Sequence, residues 1–300
     1  MEFEKEFSTE EQCRAYLFGL KWPEGFVCPY CGGEKHWQTG EMKIKCQSCR
    51  RNTSVIAGTV FQDTHKPLTL WFRAIWYVTS QKNGASAMGL QRILGLGSYH
   101  TAWTWLHKLR RAMVRPGRDK LSGTVEVDEA YIGAPEHGGK RGRGTENKAL
   151  TVFAVEINDN KIGRIRVGIV DSASAEDLHP FIEESIEKGS VIVTDGWSGY
   201  SGIEVKGYTR VIEQADKQAD DTKVLPHVHV VVSLLKRWLL GTLQGAWSRD
   251  YFAYYLDEFT FRFNRRNSKS RGMLFYRLLQ NAVQVDPVTK RDIQSKVNIP

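Results

Sequence analysis

Residues 123–133 read Gly-Thr-Val-Glu-Val-Asp-Glu-Ala-Tyr-Ile-Gly, and the reading of the fold turns on this stretch. Apolar and polar residues alternate from Thr124 to Ile132, the period-two signature of a strand with two unlike faces. Val125 and Val127 share one face; Glu126 and Asp128 share the other. Glu129 falls on the valine side and reads as structural. Two further strands follow, at roughly Leu150–Ile157 and Ile162–Val170. A helix comes next, at about Ser174–Lys188, opened by the capping-box-like Ser174-x-x-Asp177. The apolar run Val191–Thr194 then delivers Asp195 at its end, followed by Gly196. Strand, strand, strand, helix, strand predicts an α/β domain whose buried sheet presents acids at its edge.

Phosphodiester chemistry explains why such acids are needed. Hydrolysing a phosphodiester, or attacking it with a 3′-hydroxyl, calls for two metal ions about 3.5–4 Å apart on the attacking and leaving oxygens. Mg²⁺ and Mn²⁺ take hard oxygen ligands. Asp128 in mid-strand is placed to bridge both ions, and Asp195 on a neighbouring strand to hold one. A third ligand is expected on a later helix, around 226–243. There His229 and Lys236 lie seven residues apart, within about 20° of one face at 3.6 residues per turn. Val228, Val231, Val232, Leu235 and Leu239 cover much of the remainder, so this helix is expected to be largely buried. A buried His and Lys are costly unless they work or are paired; a satisfied core histidine is the competing reading of His229.

Upstream, Cys28-Pro29-Tyr30-Cys31-Gly32-Gly33 is answered by Cys46-Gln47-Ser48-Cys49-Arg50-Arg51. Two such knuckles bring four thiolates into a tetrahedron that suits one structural zinc ion, with redox thiols as the alternative. Glycine permits the positive-φ turn after the second cysteine. Cys13 lies outside the pattern and reads as a small buried apolar residue. Lys43, Lys45, Arg50 and Arg51 flank the ribbon, placed either to meet phosphates or to form a solvated face. Beyond Pro67, the residues Leu70, Trp71, Ala74, Ile75 and Val78 recur at helical spacing. A short helix through Leu90, Ile93 and Leu94 and another from Tyr99 to Met113 fit a helix-turn-helix, and fit a plain helical bundle as well. In the first case His100, Thr101, Thr104, Lys108 and Arg111 face a DNA groove. Pro116-Gly117 reads as a linker.

The chain has 300 residues, 41% hydrophobic and 25% charged, which is ordinary for a globular protein rather than a disordered one. No apolar run reaches the roughly 20 residues a membrane span needs. The N-terminal MEFEKEFSTEEQ is not a secretory signal. A cytoplasmic, nucleoid-associated protein without a membrane partner is expected. The formal net charge of +8 suits a polyanionic partner, most commonly DNA or RNA. Lys140, Arg141 and Arg143 stand in a glycine-rich loop after the Asp128 strand, placed to fold over DNA or simply to be solvated. Trp197 and Tyr200 either stack on a base or belong to the core. Arg262, Arg265 and Arg266 are expected to meet phosphates.

CPYCGG with CQSCRR, GTVEVDEAYIG, VTDGWSGY, LLKRWLLGT and YLDEFTFRFNRR together resemble the DDE insertion-sequence transposases of the ISXO2-like group, over about residues 10–285. The resemblance implies a ribonuclease-H-like fold, binding of double-stranded DNA at element ends and target, cleavage and strand transfer with Mg²⁺ or Mn²⁺, and a homodimer or higher multimer on DNA. It maps the first carboxylate to Asp128 and the second to Asp195. The third falls on His229, seven residues before the lysine of LLKRW, and Lys236 is that DNA-contacting lysine. His229 is the departure: relatives carry Glu, Asn or His there. Imidazole in place of a carboxylate removes a negative charge and favours Mn²⁺ over Mg²⁺. It also makes activity fall as pH drops through about 6.5, where a free imidazole protonates. Asp257 and Glu258 are the alternative third acids. The expected domains are residues 1–66 (N-terminal helix and zinc ribbon), 67–118 (helix-turn-helix-like), 119–285 (catalytic) and 286–300 (tail). A catalytically inactive DNA-binding relative, a nuclease that does not join, and a zinc-ribbon transcription factor are the competing functions.

Overall fold

The computed structural model describes residues 2–40, 43–115, 117–133, 148–214, 224–244 and 247–294. The chain divides into two compact units, Met1–Gly117 with Ser268–Pro300, and Arg118–Asn267. The break falls at Gly117–Arg118, beside the 118/119 limit of the sequence reading, and residues 1–66 and 67–117 are not divided from one another. The segment beyond residue 267 groups with the N-terminal unit, whereas the sequence assigns residues up to 285 to the catalytic domain.

The first unit opens with two helices, α1 (Glu2–Glu6) and α2 (Glu10–Lys21). Thr9 caps α2 in a reciprocal box with Gln12. Three short antiparallel strands follow: β1 (His36–Gln38), β2 (Lys43–Cys46) and β3 (Asn52–Ser54). Then come α3 (Leu68–Ser80), α4 (Ala87–Leu94) and α5 (Tyr99–Ala112). The Glu10 carboxylate accepts the Leu68 and Thr69 amides at 3.0 and 2.8 Å, satisfying orphan donors at the start of α3. Trp71 of α3 stacks on Trp105 of α5 with ring centroids 3.7 Å apart. Gly95 closes α4 in the left-handed region, at φ 62°, and the chain turns into α5.

The second unit is built on a five-stranded sheet of β4 (Thr124–Ile132), β5 (Ala149–Asn158), β6 (Lys161–Ile169), β7 (Val191–Thr194) and β8 (Thr209–Ile212). Their order is β6-β5-β4-β7-β8, with β4, β5 and β6 antiparallel and β7 and β8 running parallel to β4. This mixed order is the ribonuclease-H-like arrangement expected. β8 was not expected; four residues at a sheet edge, three of them exposed, leave no periodic signal. Helix α6 (Ala175–Ser185) covers the Val125–Val127 face with Leu178 and Ile182. On the other face lie α7 (Pro226–Leu243) and α8 (Phe252–Phe263), whose Val228, Val231, Leu235, Leu256 and Phe259 pack with Phe153 and Val155. Strand β6 is an edge, and the turn after α8 covers it. Asn264 bonds the Ile165 backbone twice, at 2.8 and 3.1 Å, and Arg266 donates to the Gly163 carbonyl at 3.1 Å. Returning to the first unit, α9 (Arg271–Ala282) packs on α3, and α10 (Lys290–Gln294) on α5.

Candidate active site

The alternation read at 124–132 holds: Val125 and Val127 are fully buried towards α6, while Glu126 and Asp128 face α7. Parallel pairing sets Val193 of β7 opposite Glu126. Asp195, two residues on, therefore leaves the sheet level with Asp128, one strand away, or about 4.8 Å. His229 sits one turn into α7. Asp128, Asp195 and His229 line one open cavity of about 460 Å³, together with Glu213, Gln214 and Leu225. Burial, with the charge of Asp195 adding, raises the Asp128 carboxyl above its usual range. A divalent cation would relieve that cost, so the donor set fits hard metal ions.

The loop after Asp195 is tied down. Asp195 Oδ1 accepts the Trp197 amide at 3.0 Å. Arg210 of β8 donates to the Asp195 and Trp197 carbonyls at 3.1 and 3.0 Å, and to Thr194 Oγ1 at 3.0 Å. A Cβ at Gly199 would collide with the Ala173 carbonyl, which accounts for that glycine. Tyr200 is core: it is fully buried, and its hydroxyl donates to Glu129 Oε2 at 2.5 Å. Base stacking by Tyr200 is thereby ruled out. Glu129 lies, as read, on the face away from the cavity. Trp197 is 40% exposed, with its indole N–H on the Ala173 carbonyl at 2.7 Å.

His229 and Lys236 are both exposed on α7, and only the Val228, Val231, Val232, Leu235, Leu239 stripe is buried. The expectation of a largely buried helix is therefore corrected, and with it the core-histidine reading of His229. Lys236 shares the exposed face but does not line the cavity. Asp257 and Glu258 do not line it either; Glu258 is buried and ion-paired with Arg262.

In the ribbon, the four cysteine sulfurs lie within 4.8 Å of one another, with Cys28–Cys49 and Cys31–Cys46 at 3.6 Å. Zinc–sulfur bonds of about 2.3 Å set tetrahedral sulfur separations near 3.8 Å, so the cluster fits zinc. The knuckles match bond for bond: Gly32 N donates to Cys28 O at 3.0 Å and Arg50 N to Cys46 O at 3.1 Å. Gly32 takes φ 72°, but the second knuckle puts Arg50 at φ 63° where a glycine was unavailable. The Cys49 amide, with that of Ser48, draws the Cys46 thiol down to about 6, towards the thiolate a metal requires. Cys13 is fully buried, and desolvation pushes it up to about 12, as expected of an inert core thiol.

Residues 120–264 match the ISXO2-like transposase domain, and residues 8–52 match the transposase zinc-ribbon domain. The chain belongs to the ISXO2-like transposase family. It is 28% identical over 282 residues to an uncharacterized protein in transposable element ISH50 of Halobacterium salinarum, covering 86% of this chain and 92% of that one. Among solved structures it is similar to the Mos1 strand transfer complex (TM-score 0.30, 11% identity, 80% of this chain and 82% of that one). A pre-cleavage Mos1 transpososome gives a TM-score of 0.27 at 10% identity, with the same coverage. No helix among the described residues is long and apolar enough to cross a membrane.

The basic residues of this transposase fall into distinct settings. Arg50 and Arg51 are exposed and lie over the Trp37 and Tyr30 rings, at 4.6 and 5.2 Å, and Lys43 is exposed on β2. On α5, Tyr99 and His100 are exposed, Thr101 and Arg111 half-buried, and Thr104 buried. Burial lowers the Lys108 ammonium, which Asp63 and Asp292 partly offset. Arg262 gives Nε and Nη2 to Glu258 Oε1, both at 2.8 Å. Arg265 donates to the Phe261 carbonyl and lies over its ring, and Arg266 is held on β6. All three guanidiniums make contacts within this unit, and Arg266 is exposed while doing so. Lys140, Arg141 and Arg143 lie outside the described residues. The sequence reading gave no role to Glu126, Arg210, Glu213 or His227. Only Glu126 left a signal, through its shared face with Asp128.

Proposed function

We propose that this transposase binds the ends of its insertion sequence and catalyses DNA strand cleavage and strand transfer. The observation that supports it best is the convergence of Asp128, Asp195 and His229 on one open cavity, from two adjacent strands and the helix packed over them. Asp128 and Asp195 would hold divalent cations, with His229 as third ligand. Such ions neutralise charge on the attacking and leaving oxygens of a phosphodiester when bound. In cleavage a water oxygen bonds to phosphorus, the P–O3′ bond breaks and a 3′-hydroxyl is left. In transfer that hydroxyl attacks a target phosphodiester, loses its proton to solvent, and displaces a target 3′-oxygen. The chain's own part is to hold the acids at fixed separation and to set DNA across the opening, with Lys236 against the backbone. The imidazole at position 229 favours Mn²⁺ over Mg²⁺.

The ribbon, with one zinc ion, and the α4–α5 pair serve as end-binding modules. Lys43, Arg50 and Arg51 meet phosphates, and the exposed start of α5 around Thr101 enters a groove. Joining two ends requires at least a homodimer on DNA. The test uses a plasmid carrying both flanking ends, with Mn²⁺, comparing the wild type with Asp195→Asn. Joined products lost in the variant support the reading. End binding without cutting by either protein would instead mark an inactive DNA-binding relative, with His229 as the cause.

A further inference from the structure

Helix α7 has no cap of its own. Leu225, before it, takes φ 50° and ψ 55°, and no side chain of its N-cap residue bonds its first amides. Pro226 carries no N–H. An α-helix leaves its first N–H groups without helical partners. Here the Glu126 carboxylate of β4 takes them. Glu126 is 6% exposed; its Oε2 accepts the His227 and Val228 amides, both at 3.0 Å, and its Oε1 meets His227 Nδ1 at 2.5 Å. Glu213, just past β8, accepts the Leu225 amide at 3.1 Å.

This clamp has a consequence for the cavity. Glu126 stands two residues before Asp128 on the same face of β4, and His227 stands two residues before His229 on α7. One carboxylate thus ties the strand that carries the first metal ligand to the helix turn that carries the third. A serine or aspartate cap within α7 would satisfy the same amides, but it would leave the helix free to rotate against the sheet. We infer that Glu126 is a positioning residue, which sets the separation and facing of Asp128 and His229 through the α7 amides and His227, with Glu213 fixing the entry into the helix. The inference rests on Asp128, Asp195 and His229 being the metal site. It also explains why a buried carboxylate faces a helix terminus: the anion meets the positive end of the helix through charge-assisted bonds.

The test measures Mn²⁺ binding to the full-length, zinc-loaded protein by the loss of the free-ion electron paramagnetic resonance signal, without DNA. Joining is titrated with Mn²⁺ alongside. Glu126→Val removes every acceptor, and Glu126→Asp shortens the reach by one methylene. Glu126→Gln keeps an oxygen for both amides and a donor for His227 Nδ1. Groups that orient metal ligands are worth about 10–100-fold in metal affinity. Val and Asp should therefore raise half-saturating Mn²⁺ at least about tenfold, with joining restored at high Mn²⁺, while Gln stays within about threefold of wild type. Circular dichroism checks folding, and Glu126→Asp decides the matter if Glu126→Val does not fold. Unchanged Mn²⁺ affinity in Glu126→Asp overturns the inference. Asp195→Asn separates the two ideas: if it binds Mn²⁺ like wild type, the site assignment itself fails, whatever Glu126 does.

Discussion

Replacing Arg262 by methionine tests whether this arginine serves the fold or the DNA. Its Nε and Nη2 both reach Glu258 Oε1 at 2.8 Å, one turn back on α8. Glu258 is 1% exposed and the Arg262 side chain 11%. An exposed i,i+4 pair is worth about 0.3–0.5 kcal/mol. Removing one partner of a buried ion pair costs about 3–5 kcal/mol. At about 2–4 °C per kcal/mol for a unit of this size, Arg262→Met should melt about 6–20 °C below wild type. The pair Glu258→Leu with Arg262→Met should recover most of that loss, because no charge is left buried. Thermal denaturation by circular dichroism gives the first result, and fluorescence anisotropy on end DNA over a salt series gives the second. The salt slope should be unchanged in Arg262→Met. A melt within about 2 °C of wild type, with the slope reduced by about one phosphate contact, would refute this account and restore Arg262 to the DNA interface.

His229→Glu should raise Mg²⁺-supported joining relative to Mn²⁺ by about tenfold or more, since a carboxylate restores a hard anionic ligand. An unchanged metal ratio would take residue 229 out of the metal shell. The ribbon should carry one zinc by native mass spectrometry. Cys46→Ser should lose the zinc and unfold the strands of three or four residues that have little else to hold them, with the α3–α5 helices intact; a zinc-free ribbon with native amide protection would contradict that. Burial, then the Arg110 charge, pushes the His107 imidazole down to about 2. The folded chain keeps it neutral while the unfolded chain takes a proton below about 6.5, so stability present above that pH is lost as pH falls. The loss is at most about 3 kcal/mol by pH 4.5 at about 1.4 kcal/mol per pH unit. His107→Phe should flatten the dependence of melting temperature on pH from 7.5 to 4.5, and an equal slope in both proteins would dismiss His107 as its source.

Period-two alternation places Glu126 and Asp128 on one strand face because a strand has only two faces; helices cover both, so Glu126 is buried as well as the valines. Two CxxC knuckles are equally legible, because four thiolates at that spacing have few uses other than a metal. Longer-range facts leave no local trace. The level pairing of Asp195 with Asp128 comes from the β4–β7 register, and β8 is too short to show a period. The Arg262–Glu258 pair looks like a basic cluster in sequence because clustering says nothing of which way a guanidinium points. On α5 the residues nominated for a groove include Thr104, which the fold buries. Only the leading residues of α5 are exposed, and most of the rest of the helix serves the core.

Helix α7 is less buried than its composition implies. Counting valines and leucines suggests a largely buried helix, on which His229 and Lys236 would be costly unless they work or are paired. The fold buries a single stripe, Val228, Val231, Val232, Leu235 and Leu239, against the sheet. Position 229 is left on the open side, where it lines the cavity with Asp128 and Asp195. Exposed as they are, His229 and Lys236 carry no desolvation cost that a partner or a function has to offset. Two turns of helix separate His229 from Lys236, about 10 Å along the axis. That distance is why Lys236, on the same exposed face as His229, lies outside the cavity.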